Sequence, residues 1–133
     1  MGQFTQRIEV GRLDEARFEP VDLMVDTGST YTWLPQALVT RLGLKPSGHV
    51  QVRLADGRVI EKNGLTVLVR INGEARGSFC LVAEQDDALL LGALTLETFS
   101  LGVDPVNKRL MPVVASAMPA RRSPGGLTGT PGF

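Results

Sequence analysis

Val21-Asp22-Leu23-Met24-Val25-Asp26-Thr27-Gly28-Ser29 decides how the rest of this chain is read. The run Val21 to Val25 has the make-up of a buried strand, and it ends on a carboxylate, Asp26. An acid presented at such a point is seldom there for packing. At ordinary residue usage a specified four-letter string such as Asp-Thr-Gly-Ser turns up about once in 10⁵ positions, so a stray match in a short chain is improbable. The plainer alternative is an Asx-type turn closing a strand, since Asp, Gly and Ser all favour such turns.

Working outward from the motif, Phe4 to Val10 and Arg17 to Val25 read as strands separated by Gly11 to Ala16. Tyr31 to Leu34 is a short strand. Pro35 then suits a first helical turn, Ala37, Leu38, Leu42 and Leu44 follow at helical spacing, and Gly43 supplies the stop. Val50 to Leu54 and Arg58 to Lys62 flank Ala55-Asp56-Gly57, a hairpin signal. Gly64 reads as a bend or bulge before Leu65 to Ile71. Asn72-Gly73 turns the chain into Ala75 to Ala83. After the acidic loop Glu84 to Asp87 comes the apolar run Leu89-Leu90-Leu91, closed by Gly92. A short helix over about 94–99 precedes a last hairpin, Leu101 to Val103 with Arg109 to Val114, around Asp104-Pro105-Val106-Asn107.

With 133 residues, 43% of them hydrophobic, the chain has the size of one domain rather than two. Residues 1–115 form that domain, and 116–133, rich in Pro, Gly and Arg, read as a disordered tail. Gly125-Gly126 in the tail lacks the Lys and helix of a phosphate loop. Fourteen basic residues balance fourteen acidic ones and are scattered, so nucleic acid is not the expected partner. No apolar run approaches a membrane span, and the first ten residues lack a secretory layout. Cys80 is the only cysteine and His49 the only histidine. An internal disulfide and a structural zinc site therefore have no residues to draw on, and His49, which would need partners nearby for Ser-His or Cys-His catalysis, reads as an ordinary surface histidine, so no metal or cofactor is expected. A cytoplasmic location is the default. Met1 lies close to the first strand, which reads as a complete small protein, with a unit cut from a longer polyprotein or membrane protease as the alternative.

The order strand, Asp26-Thr27-Gly28, short helix, two hairpins, then Leu90-Leu91-Gly92 and a second short helix resembles the retropepsin-like aspartic proteases over roughly residues 4–114. Two motifs far apart in sequence carry that resemblance together. It implies an all-β fold, a single-lobe closed β-barrel with one or two short helices. It also implies an aspartic endopeptidase that hydrolyses peptide bonds with activated water. Such chemistry needs one carboxylate to take a proton from water while another donates one. The motif occurs once in the chain, so a homodimer with two Asp26 side chains at its two-fold axis would complete the pair, sharing one proton.

Further roles follow from the same resemblance. Asp26 is the catalytic carboxylate, Thr27 bonds its counterpart across the dimer, and Gly28 lets the substrate backbone come close. Ser29 would tune the dyad by donating to the carboxylate, which favours its charged form and acidic operation. Ala55, Asp56, Gly57 and Arg58 are the tip of a flap that closes over peptide; alone they are also a plain hairpin turn. Met24, Trp33 and Leu90 correspond to the substrate pocket and imply extended peptides with bulky apolar side chains, and Trp33 reads equally well as core. Leu91 and Gly92 support the catalytic loop, although Leu89 to Leu91 alone would be an ordinary core strand. The chain departs from the retroviral pattern at Thr30 and Ala93, where an acidic and a basic residue usually pair. The flap tip has one Gly and no Tyr. A catalytically silent dimerisation or peptide-binding module is therefore the rival expectation.

Overall fold

Alternation of buried and exposed residues marks several strands of the computed structural model, which describes residues 3–114. The tail assigned to 116–133 lies outside the described residues. Strand β1 (Thr5–Gly11) buries Ile8 and Val10, and β2 (Phe18–Val25) buries Leu23 and Val25, each on one side of the pleat. Next come β3 (Thr32–Pro35), helix α1 (Gln36–Arg41), β4 (Gly48–Arg53), β5 (Val59–Ile71) and β6 (Glu74–Ala83). The two-residue strand β7 (Leu90–Leu91), helix α2 (Ala93–Thr98), β8 (Leu101–Asp104) and β9 (Arg109–Pro112) complete the order. Among the described residues, two six-residue helices and nine strands make the fold all-β.

Seven strands pair in the order β1-β2-β7-β3-β6-β5-β4, and β5 also pairs with β1, so the hydrogen-bonded path returns to its start with β4 outside the ring. Inside lies the main core, built from alternate residues of β1, β2, β5 and β6 with Leu38, Val39 and Leu42 from the α1 region and Leu96 and Phe99 from around α2. Each of these large aliphatic side chains, once buried, stabilises the fold by roughly 1.5–3 kcal/mol relative to exposure. A second, smaller cluster of Trp33, Leu81 and Ala83 sits between the β4–β5 hairpin and the strands beneath, with Val50, Val52, Leu89 and Leu90 packed against it.

Turn residues behave as their chemistry requires. Asn72 and Gly73 both take positive φ (52° and 83°), the signature of a tight hairpin turn, and Gly57 does so at the β4–β5 tip (91°). Helix α1 ends at Gly43 with φ 69°, and its last carbonyls are taken up from outside the helix. Arg12 donates to the oxygens of Leu42 and Gly43, and Arg17 to that of Arg41.

One local expectation changes. Pro35 stands outside the first turn as the N-cap of α1, extended at ψ 139°. β5 runs through Gly64 as one strand, and its buried face slips by one residue there, from Lys62 and Gly64 to Leu65, Val67 and Val69; a side chain at Gly64 would sit 2.4 Å from the Phe79 ring. Gly64 is also where β5 exchanges partners, pairing with Gly48 of β4 and with Leu81 of β6. Close packing of the Phe79 ring leaves room for glycine alone.

Candidate active site

The chain leaves the core at the end of β2 and places Asp26 half-exposed at the surface, with Thr27 and Gly28 exposed beyond it. Because side chains alternate along β2, Leu23 and Val25 point into the core while Met24 and Asp26 take the other side. The carboxylate is oriented by its own turn: the Gly28 N–H donates to Asp26 Oδ1 at 2.9 Å, and the Ser29 N–H to the Asp26 carbonyl at 3.1 Å. A hollow of about 420 Å³ opens beside it, lined by Phe4, Val25, Asp26, Thr27, Val103 and Pro105 among others.

Beneath that turn the second motif passes under the first. Asp26 N–H donates to Leu91 O at 3.0 Å, Ala93 N–H to Ser29 O at 2.8 Å and Leu94 N–H to Thr30 O at 2.9 Å. The fully buried β7 residue Leu91 and the buried Gly92 therefore hold the loop from below. A side chain at Gly92 would lie 2.2 Å from the Tyr31 carbonyl oxygen, so the crossing tolerates only hydrogen here. Thr30 and Ala93, the positions that lack the retroviral ion pair, are joined to this crossing through backbone hydrogen bonds instead.

A buried hydroxyl network under the crossing gave no signal in the sequence. Thr32 Oγ1 accepts the Gly92 N–H at 2.9 Å and lies 2.6 Å from Thr95 Oγ1, which lies 2.9 Å from Ser78 Oγ. Thr32 and Thr95 are wholly buried, and Ser78 nearly so. Each belongs to a different element, and a lone Thr in a strand or helix reads as ordinary. Replacing Thr32 by the near-isosteric Val strands the Gly92 N–H, and an expected loss of about 1–3 kcal/mol in urea unfolding follows from the price of an unpaired buried donor.

Ser29 corrects an expectation. Its hydroxyl donates to the Tyr31 carbonyl at 2.7 Å, and a hydroxyl has one proton to give, so Asp26 does not receive it. The backbone reversal after Gly28 brings the Tyr31 carbonyl within reach of the side chain, and the local bond is made there.

Met24, Leu90 and Trp33 stand side by side, since Leu90 of β7 pairs with Met24 on one flank and with Trp33 on the other. Trp33 is only 8% exposed, so most of the indole is core, while Leu90 and Met24 are half-buried. At the hairpin tip, Asp56 accepts from the Arg58 N–H and is paired with the Arg58 guanidinium, and these hold its carboxyl below the usual range. Arg53 donates to Gly57 O at 3.1 Å, so the charged tip residues bind one another within their own hairpin.

Lys62 is buried, an outcome its hairpin position did not announce. Burial pushes its ammonium towards the neutral form, but Asp87 and Glu84 outweigh this and raise its pKa overall. Burial likewise pushes Asp87 up, and the Lys62 ammonium together with the Glu84 N–H brings it below the usual carboxylate range. Cys80 is driven up to about 12, chiefly by burial, so its thiol is no nucleophile at neutral pH. Among the described residues no three acidic, His or Cys side chains are grouped to hold a metal, and no helix is long and apolar enough to cross a membrane.

Comparison with known proteins gives two findings. A family model described as aspartyl protease matches residues 10–95, a span that includes both motifs and the β4–β5 hairpin. Among solved structures, the EIAV protease complexed with the inhibitor HBY-793 is similar to this chain, with a TM-score of 0.55 and 18% identity over 83% of this chain and 93% of that one. At that identity the likeness concerns the fold. No curated protein sequence matches.

Proposed function

The chain belongs to the aspartyl protease family, with a fold similar to a retroviral protease, and from that premise we propose that it is an aspartic endopeptidase whose catalytic dyad forms across a homodimer. The observation that carries the reading is the single Asp26 carboxylate, oriented by the Gly28 N–H and standing half-exposed at the edge of a hollow. One carboxylate cannot at once take a proton from water and give one to the scissile carbonyl. A second Asp26, brought up by a two-fold axis next to Thr27 and Gly28, supplies the other half, and the two share one proton because close carboxylates resist double ionisation.

In that dimer one Asp26 accepts the proton of the attacking water while the protonated partner donates to the substrate carbonyl oxygen, giving a tetrahedral diol that collapses with proton return to the leaving nitrogen. An extended peptide lies between the flap tip, Ala55 to Arg58, and the floor at Met24, Trp33 and Leu90, held by backbone hydrogen bonds. Thr27, exposed beside the acid, meets its counterpart across the axis. The test is digestion of a peptide library by the purified chain and by Asp26→Asn across a range of pH. Cleavage by the first alone supports the reading, and equal cleavage by both refutes it. Binding of a pepstatin-like transition-state mimic with no cleavage at any pH would select the silent peptide-binding module instead.

A further inference from the structure

Among the described residues Lys62 is the only charged side chain that is buried. An ammonium so enclosed persists only with compensating partners. Lys62 Nζ lies 2.5 Å from Asp87 Oδ2 and 3.4 Å from Glu84 Oε2, and stands over the Trp33 ring at 5.7 Å from its centre. The same Asp87 oxygen accepts the Glu84 N–H at 2.8 Å, and the Asp87 N–H returns to Glu84 O at 3.0 Å, so the loop is wrapped around one carboxylate.

The position of this cluster matters more than its strength. Register places Val50 opposite Lys62 and Val52 opposite Ile60, which puts all four on one face of the β4–β5 hairpin. Val50 and Val52 pack in the cluster of Trp33, Leu89 and Leu90. The root of the flap, the strand carrying Trp33 and the loop leading into Leu89-Leu90 thus meet at one ammonium. That loop also lines a hollow of about 540 Å³ together with Pro35 and Gln36.

We propose that Lys62 is a positioning residue that latches the flap root to the 84–89 loop, and so sets which peptide side chains fit against Trp33, Leu89 and Leu90. The specificity part rests on the peptidase reading above. Lys62 touches neither Asp26 nor its turn, so its loss acts on substrate placement rather than on proton transfer. Lys62→Met keeps the length of the side chain and removes the buried charge, and Asp87, with 22% of its side chain exposed, keeps access to water when its partner is gone. Asp87→Asn removes the counter-charge and keeps the shape.

Hydrogen exchange of the wild-type chain, Lys62→Met and Asp87→Asn tests the latch directly, and acrylamide quenching of Trp33, the only tryptophan, adds a second readout. In both variants the amides of 84–89 are expected to exchange at least about tenfold faster, with those of β1 and β2 unchanged and Trp33 more readily quenched. On a peptide library the variants are expected to show a KM raised about tenfold, kcat within about threefold, and an altered side-chain preference next to the cut. Unchanged exchange at 84–89 overturns the latch whatever the activity. Faster exchange with unaltered KM and preference overturns its role in specificity. A wild-type chain that cleaves nothing refutes the peptidase reading and the specificity role with it, while exchange still decides the latch.

Discussion

Asp26→Asn is expected to leave the fold standing and to remove about 10³-fold or more of peptide hydrolysis, equivalent to about 4 kcal/mol of transition-state stabilisation. The carboxamide has the size of the carboxylate, and its oxygen can still accept the Gly28 N–H that now reaches Asp26 Oδ1. What it cannot do is take a proton from water. Circular dichroism and the unfolding midpoint should therefore match the wild type while kcat collapses. A variant that keeps a tenth or more of the activity would show that water is activated elsewhere.

The second large effect is structural. Gly92→Ala introduces a Cβ at 2.2 Å from the Tyr31 carbonyl oxygen and 2.8 Å from that of Ser29, both backbone atoms. Neither can rotate away, so the two crossing segments must separate. Separation strains the bonds from Asp26 N to Leu91 O, from Ala93 N to Ser29 O and from Gly92 N to Thr32 Oγ1. A loss on the order of 4 kcal/mol is expected, a large part of the 5–15 kcal/mol that holds a domain of this size. Gly48→Ala is the control, because a Cβ there meets nothing within 4 Å. Urea midpoints should fall sharply for the first and move by no more than about 0.5 kcal/mol in stability for the second. Equal midpoints would mean that the two motifs do not cross in tight backbone contact.

What could be read from the sequence was whatever local chemistry dictates. Asp56-Gly57 and Asn72-Gly73 were legible because positive φ demands such residues, and α1 because Pro35 and Gly43 bracket it. The strands followed from apolar and β-rich runs between turn residues. Their order in the sheet did not, since the parallel pairing of β3 with β6 and of β2 with β7 joins residues far apart in the chain. Only the joint presence of Asp26-Thr27-Gly28 and Leu90-Leu91-Gly92 implied that crossing.

The site was legible in part for the same reason. Leu91 accepts the Asp26 N–H, and Gly92 lies against the Ser29 and Tyr31 carbonyls. The Thr32, Thr95 and Ser78 hydroxyls and the Lys62–Asp87 pair were invisible, because their roles come from tertiary neighbours and each residue type is common on a surface. Ser29 went wrong on geometry: two acceptors lay within sequence reach of one proton, and the chain's path favours Tyr31.

The central claim is that two copies of Asp26 make one active centre, and titrating wild-type chain with Asp26→Asn chain tests it most directly. At fixed wild-type concentration, well above the dimer dissociation constant, added mutant should draw wild-type subunits into inactive mixed pairs. Activity would then fall with the share of wild-type subunits still paired with one another, to about half at a one-to-one ratio of subunits under random pairing. Activity that stays constant at every ratio, from a chain whose solution mass remains that of a monomer, would contradict it.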